Sequence, residues 1–197
     1  MDKFEALQRI AEENGGILQT KSALENGISR PTLGKFVREF QYEKVAQGIY
    51  CAPDSWPDGF YILQLRCPQI IFSHETALYL LDMTDREPMQ YTVTVKTGYN
   101  PTQLSKDGIK VYTVKKELYE VGMTRLNTPF GHEVTAYNPE RTLCDTIRSR
   151  SSIEMQVYQD AIRQYVKRKD RNLHVLMEYA KLFHVERYLD RYLEVLI

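Results

Sequence analysis

An α+β chain built in two parts is what the sequence predicts, on three observations. Two short helical segments followed by a turn-linked pair of extended segments occupy Thr20 to Cys51. Alternating and β-branched runs fill the middle third, up to Tyr137. After Asn138 the apolar residues fall at helical spacing.

Phe4, Leu7, Ile10 and Ala11 give a first helix one apolar stripe, and Asn14-Gly15-Gly16 stops it. Ile17 and Leu18 form a short extended link. Thr20 is expected to cap a helix from Lys21 to Asn26, with Gly27 closing it in the left-handed conformation. Ser29 is expected to cap the next helix, with Pro31 in its first turn, where a missing N–H does no harm. Leu33, Phe36, Val37 and Phe40 recur at i, i+3, i+4 and i+7, a stripe that faces a core. At about 100° per residue the opposite face carries Pro31, Thr32, Lys35 and Arg38, with Arg30 on the flank and Gly34 leaving room for close approach. Tyr42 to Ala46 and Ile49 to Cys51 then flank the turn Gln47-Gly48.

That order is an N-terminal winged helix-turn-helix, assigned to residues 1–54, and its usual partner is duplex DNA. The expected interface is Lys21, Ser29, Arg30, Thr32, Lys35, Arg38, Lys44 and Gln47. The bland reading is a winged helix that serves structure or protein–protein contact. Ala52 to Gly59, APDSWPDG, favours turns over any regular element and marks the boundary. Trp56 in it is expected to pack the linker onto a domain.

Residues 55–197 read as a mixed, strand-then-helix C-terminal domain. Phe60–Leu65 and Ile70–Phe72 are apolar runs, after which Ser73 is placed as cap of a helix HETALYLLDM. Gln90 to Lys96 alternates Tyr91, Val93 and Val95 against Thr92, Thr94 and Lys96, which predicts a half-buried strand. Ile109 to Lys115 reads as another, and TGYNPTQLSKDG between them as a polar loop. Met123–Asn127 and Glu133–Tyr137 predict a hairpin turning at Pro129 to Gly131. Asn138-Pro139-Glu140 opens a helix that buries Leu143, Cys144 and Ile147, with Arg141 and Asp145 placed to pair at its surface or fix the preceding strand. Three apolar stripes follow: Met155, Tyr158, Ile162, Tyr165 and Val166; Leu173, Leu176, Met177 and Ala180; Val185, Tyr188, Leu189, Tyr192, Leu193 and Leu196.

With 26 basic and 26 acidic side chains the net charge is zero, so binding to nucleic acid has to rest on a local patch. A second possible basic surface is Arg148, Arg150, Arg163, Lys167, Arg168, Lys169 and Arg171, set against the plain reading of a solvated helix end. Three widely spaced cysteines form neither a disulfide framework nor a zinc pattern. No stretch approaches about 18 uninterrupted apolar residues, and the expected setting is the cytoplasm, away from membranes.

The motifs that carry chemistry are missing. There is no phosphate-cradling loop, dinucleotide glycine pattern, nucleophile elbow or His-x-x-x-His pair. A nuclease strand would need a carboxylate two residues before Lys96 or Lys110, where Thr94 and Gly108 stand. His74-Glu75, His132-Glu133 and Glu140 with Asp145 read as structural. The expectation is therefore no catalytic residues, no metal ligands and no cofactor.

A set of segments in fixed order carries a family likeness: GIYCAP at Gly48 to Pro53, SHETALYLL at Ser73 to Leu81, YTVTV at Tyr91 to Val95, and TAYNPERTLCDTIR at Thr135 to Arg148. Over nearly the whole chain this resembles the AbiEi antitoxin family of type IV toxin–antitoxin systems, the Pro139 to Asp145 run being its most specific part. The resemblance implies a bacterial antitoxin in abortive infection and phage defence. Such a protein neutralises a nucleotidyltransferase-like toxin encoded beside it, without needing a stable complex, and represses its own operon at promoter inverted repeats. Two alternatives stand beside it: a toxin-modifying enzyme docked by the winged helix, and an ordinary one-component regulator with a small-molecule pocket in its second domain.

Overall fold

The computed structural model describes residues 2–190 and shows a mixed α+β chain with two sheets. It divides into two compact units: Met1–Pro68 with Asn127–Glu133, and Gln69–Leu126 with Val134–Ile197.

The first unit runs α1 (Lys3–Glu13), β1 (Ile17–Gln19), α2 (Thr20–Glu25), α3 (Arg30–Glu39), β2 (Glu43–Ala46), β3 (Ile49–Cys51) and α4 (Gly59–Arg66). Asp2 and Glu5 close a reciprocal capping box on α1. Strand β3 lies between β1 and β2, antiparallel to both. Leu7, Ala11, Leu18, Ala23, Leu33 and Phe36 make the core. Thr20 does not cap α2. It is the first helical residue, and its amide donates to the Gly48 carbonyl at 2.8 Å, so the helix start is satisfied by the β2–β3 turn. Ser29 does cap α3, accepting from the Thr32 amide at 3.4 Å. The α3 stripe ends sooner than the spacing predicts. Phe40 sits past the last helical turn, before Gln41 at φ 56°, and is 41% exposed.

The unit continues past residue 54, because Asp58 turns the apolar run after it into α4, accepting from the Phe60 and Tyr61 amides. Trp56 packs on nothing that covers it. It is 81% exposed, in a turn whose prolines keep the chain at the surface.

The second unit holds β4 (Ile71–Phe72), α5 (His74–Leu80), β5 (Thr92–Lys96), α6 (Thr102–Lys106), β6 (Lys110–Val114), α7 (Lys116–Tyr119), β7 (Met123–Asn127), β8 (Glu133–Tyr137), α8 (Pro139–Arg148), α9 (Met155–Lys167) and α10 (Leu173–Leu182). Its sheet order is β6-β5-β4-β8-β7, parallel at β5–β6 and β4–β8 and antiparallel at β4–β5. The hairpin turn falls between β7 and β8, as the spacing predicts.

Strand β5 is not half-buried. Thr92 and Thr94 are as covered as Val93 and Val95, since β5 lies inside the sheet and α5 covers the threonine side. Their hydroxyls are satisfied internally: Thr92 Oγ1 donates to the Ser73 carbonyl and accepts from the Thr76 amide, and Thr94 Oγ1 donates to Ser73 Oγ at 2.9 Å. Ser73 is thus occupied and gives α5 no side-chain cap. The polar loop after β5 contains α6, begun by Asn100, whose side chain accepts from the Thr102 amide, and pinned by buried Leu104.

Helix α8 starts at the Asn138 cap, and every residue from Glu140 to Ile147 is buried. Arg141 and Asp145 therefore pair in the interior rather than at the surface, 2.8 Å apart. Ile162, Tyr165, Leu176, Ala180 and Phe183 close the core over α8, while Met155 is 64% exposed and lies outside its expected stripe. Val185 and Leu189 are buried and Tyr188 is exposed; Tyr192, Leu193 and Leu196 lie outside the described residues.

Candidate functional site

The expected interface residues all lie on the first unit and none is buried. Leu33 and Phe36 anchor α3 to the core, which leaves Arg30, Lys35 and Arg38 in solvent. Among the described residues these three and Lys44 have no ion-pair partner. Lys21 is shared with Glu25 at 3.9 Å, both well exposed. Ser29 Oγ and Thr32 Oγ1 are 2.9 Å apart, fixed against the first turn of α3.

A groove of about 660 Å³ opens between α2, the first half of α3 and the β2–β3 turn. It brings together Lys21, Arg30 and Gln47, but Ser29, Thr32, Lys35, Arg38 and Lys44 lie outside its lining. Sequence reasoning missed Tyr50, which also lines it; alternation along β3 puts Tyr50 on the opposite face from Ile49 and Cys51, where it packs beside the core of the first unit and reaches the groove. Three exposed carboxylates, Glu25, Glu39 and Glu43, accompany the five cations, so the surface carries only a modest net positive charge.

The second basic set is not one free surface. Arg148 pairs with Asp145 at 3.6 Å, and Arg150 lies 3.7 Å over the Tyr188 ring while donating to the Ile147 carbonyl. Arg163 pairs with Asp160 at 3.1 Å. Arg168 grips Asp170 with two nitrogens and donates to the Leu81 carbonyl at 2.6 Å, and Arg171 donates to the Arg168 carbonyl. Lys167 and Lys169 alone of the seven are without such partners among the described residues.

His74 is a buried histidine in the second unit. Its ring is fully buried at φ 49°, stacked on Tyr112, with Nδ1 3.0 Å from Ser73 Oγ and Nε2 3.0 Å from Ser149 Oγ. Burial, then the positive charges of Arg148, Lys110 and Arg141, push its pKa well below the ordinary histidine range. Native His74 is thus neutral where the unfolded chain's is protonated. Its stabilising share is complete above pH about 6.5 and is lost as pH falls below that, by up to about 1.4 kcal/mol per pH unit. In urea titrations from pH 7 to 5, His74→Gln is expected to lose stability less steeply with acid than the native chain; equal slopes would remove this role.

Among the described residues no group of three or more His, Cys, Asp or Glu side chains is arranged to hold a metal ion. Cys51 and Cys144 are buried, Cys67 is partly covered, and all three are free thiols. No helix among the described residues is long and apolar enough to cross a membrane.

No family model matches the chain, and no curated protein matches it in sequence. Among solved structures, the crystal structure of protein RV2827C from Mycobacterium tuberculosis is similar over 90% of this chain and 72% of its own, with a TM-score of 0.56 at 12% identity. Likeness at that identity speaks for the fold alone, and it places this chain in the α+β class.

Proposed function

We propose that the first unit is a winged helix-turn-helix that binds duplex DNA, and that the chain is a cytoplasmic type IV antitoxin of bacterial phage defence that represses its own operon. The observation that carries the DNA reading is α3. Its apolar side is committed to the core, while Arg30, Lys35 and Arg38 stand in solvent without counter-ions among the described residues. A helix of that kind fits a major groove, with Lys44 and Gln47 of the β2–β3 hairpin beside it for a flanking phosphate. The antitoxin assignment rests on the likeness of the Ser73–Leu81 and Pro139–Asp145 segments to the AbiEi family. The modest net charge supports weak binding of one copy, reinforced when two copies occupy inverted repeats.

Gel shift on the chain's own promoter tests this. Each phosphate contact releases counter-ions, so affinity should fall steeply with salt, and Lys35→Ala or Arg38→Ala should lower both the affinity and the salt slope, the slope by about 1 per lost contact. Unchanged affinity in both variants would remove α3 as the reading element. Co-expression with the product of the adjacent reading frame tests the antitoxin half: growth should be restored, and a neighbour that is not toxic ends that assignment.

A further inference from the structure

We propose that a cleft on the first unit receives an arginine side chain from a basic segment of a partner protein. The cleft has a volume of about 440 Å³ and lies between the end of α1, the end of α3 and the chain from Ala52 to Ser55. Its walls are fixed before any partner arrives. The Ala52 amide donates to the Gly16 carbonyl at 2.9 Å, and a Cβ on Gly16, at φ 87°, would collide with the Ser55 side chain. The turn after α1 is thus packed tightly against the segment that follows β3.

One sign of charge lines the cleft. Glu12 and Asp54 are exposed at it, and its lining includes no Lys, Arg or His. Neither carboxylate has an ion-pair partner among the described residues; that of Glu12 accepts from Gln8 Nε2 at 3.1 Å. Burial, then the charge of Glu12, push the Tyr42 phenol above its ordinary range, so the field of Glu12 reaches a ring that walls the cleft.

The rest of the lining is aromatic. Tyr42 is partly covered and Phe40 is 41% exposed, both backed by buried Phe36, whose ring centre lies 5.4 Å from that of Tyr42 and 4.5 Å from that of Phe40. Trp56, the residue after the lining, is 81% exposed beside it. Exposed aromatic side chains around a concave site are what protein interfaces select. The two features together choose the ligand. A guanidinium stacks flat on aromatic rings, pairs with carboxylates in a fixed fork and is weakly hydrated, so it suits an open cleft. An ammonium offers no planar face, a phosphate is repelled by both acids, and an apolar side chain leaves them unanswered. Arg30, Lys35 and Arg38 do not line the cleft, so the proposal stands apart from DNA binding.

The single tryptophan makes the test direct. The full chain is titrated without DNA, at constant ionic strength, with acetyl-Ala-Arg-Ala-amide, its lysine counterpart and its neutral citrulline counterpart. Trp56 fluorescence and calorimetry read the binding. Saturable binding of the arginine peptide is expected, with a Kd below about 5 mM. It should weaken about fivefold or more with lysine or citrulline, in the double variant Glu12→Gln with Asp54→Asn, and in Phe40→Leu, which keeps the bulk but removes the ring. Thermal melts confirm that the variants remain folded. The proposal is overturned by no saturable signal in either measurement up to about 20 mM peptide, by lysine or citrulline peptide binding as tightly as arginine, or by unchanged affinity in the carboxylate variant or in Phe40→Leu.

Discussion

Arg141→Ala is expected to destabilise the second unit by about 3–5 kcal/mol, the usual cost of removing one partner of a buried ion pair. Arg141 is fully buried, and its neighbours show what it holds. Nε donates to Asp145 at 2.8 Å, Nη1 donates to the carbonyls of Leu118 and Val121, and the guanidinium plane lies between the Tyr137 and Phe183 rings at 4.1 and 4.0 Å. Truncation takes these donors from a buried carboxylate and two part-buried carbonyls and leaves a cavity between two rings.

The pair itself is not expected to be strongly favourable. Burial pushes the Asp145 carboxyl above its ordinary range although Arg141 and Arg148 pull it down, so desolvation outweighs the attraction. Arg141→Met combined with Asp145→Leu should therefore cost less than Arg141→Ala alone, measured by urea unfolding with far-ultraviolet circular dichroism. A single variant as stable as the native chain would show that Arg141 is not what fixes the loop before β7. Gly122 reports on the same packing: at φ 76° a Cβ there would stand 2.5 Å from Arg141 Cβ.

What the sequence made legible was local. Ser29 and Asn138 were readable as caps because a cap needs only the next three residues, and the exposed side of α3 followed from the spacing of Leu33 and Phe36. Arg141 and Asp145 were visibly one turn apart. Their burial was not, because the carbonyls that take up Arg141 come from residues 20 and 23 positions earlier. Strand β5 misled for a related reason. Alternating threonine looks like a wet face, yet a threonine whose hydroxyl bonds to Ser73 or to Thr76 is a core residue, and that partnership spans the sheet–helix connection. In the candidate interface the cations were legible and the groove was not, since Tyr50, Lys21 and Arg30 meet only once the β2–β3 turn has folded back onto α2.

Asp58→Ala is the second large effect, expected at about 2–4 kcal/mol from a lost helix cap plus buried donors left unpaired. The residue lies in the turn-rich stretch that the sequence presents as a linker, yet it is fully buried. Its Oδ1 accepts from the Phe60 and Tyr61 amides, and its Oδ2 from Thr128 Oγ1 at 2.6 Å, with His132 Nδ1 2.7 Å away. His132 stacks on Tyr61 at 4.3 Å, and its Nε2 is 3.1 Å from the Asn14 carbonyl. Carboxylate and carbonyl can only accept, so both bonds form together only on a ring carrying both protons. One carboxylate thereby joins the start of α4, the Asn127–Glu133 segment and the end of α1 within the first unit. Asp58→Asn keeps the cap acceptor but turns an N–H₂ toward Thr128 and His132, so most of the loss should persist. His132→Ala should cost less than Asp58→Ala, and the two should be non-additive by about 0.5–3 kcal/mol in a double-mutant cycle. Additive losses, or an Asp58→Ala cost below about 1 kcal/mol, would mean that the cap alone is at work and that the histidine contact adds nothing.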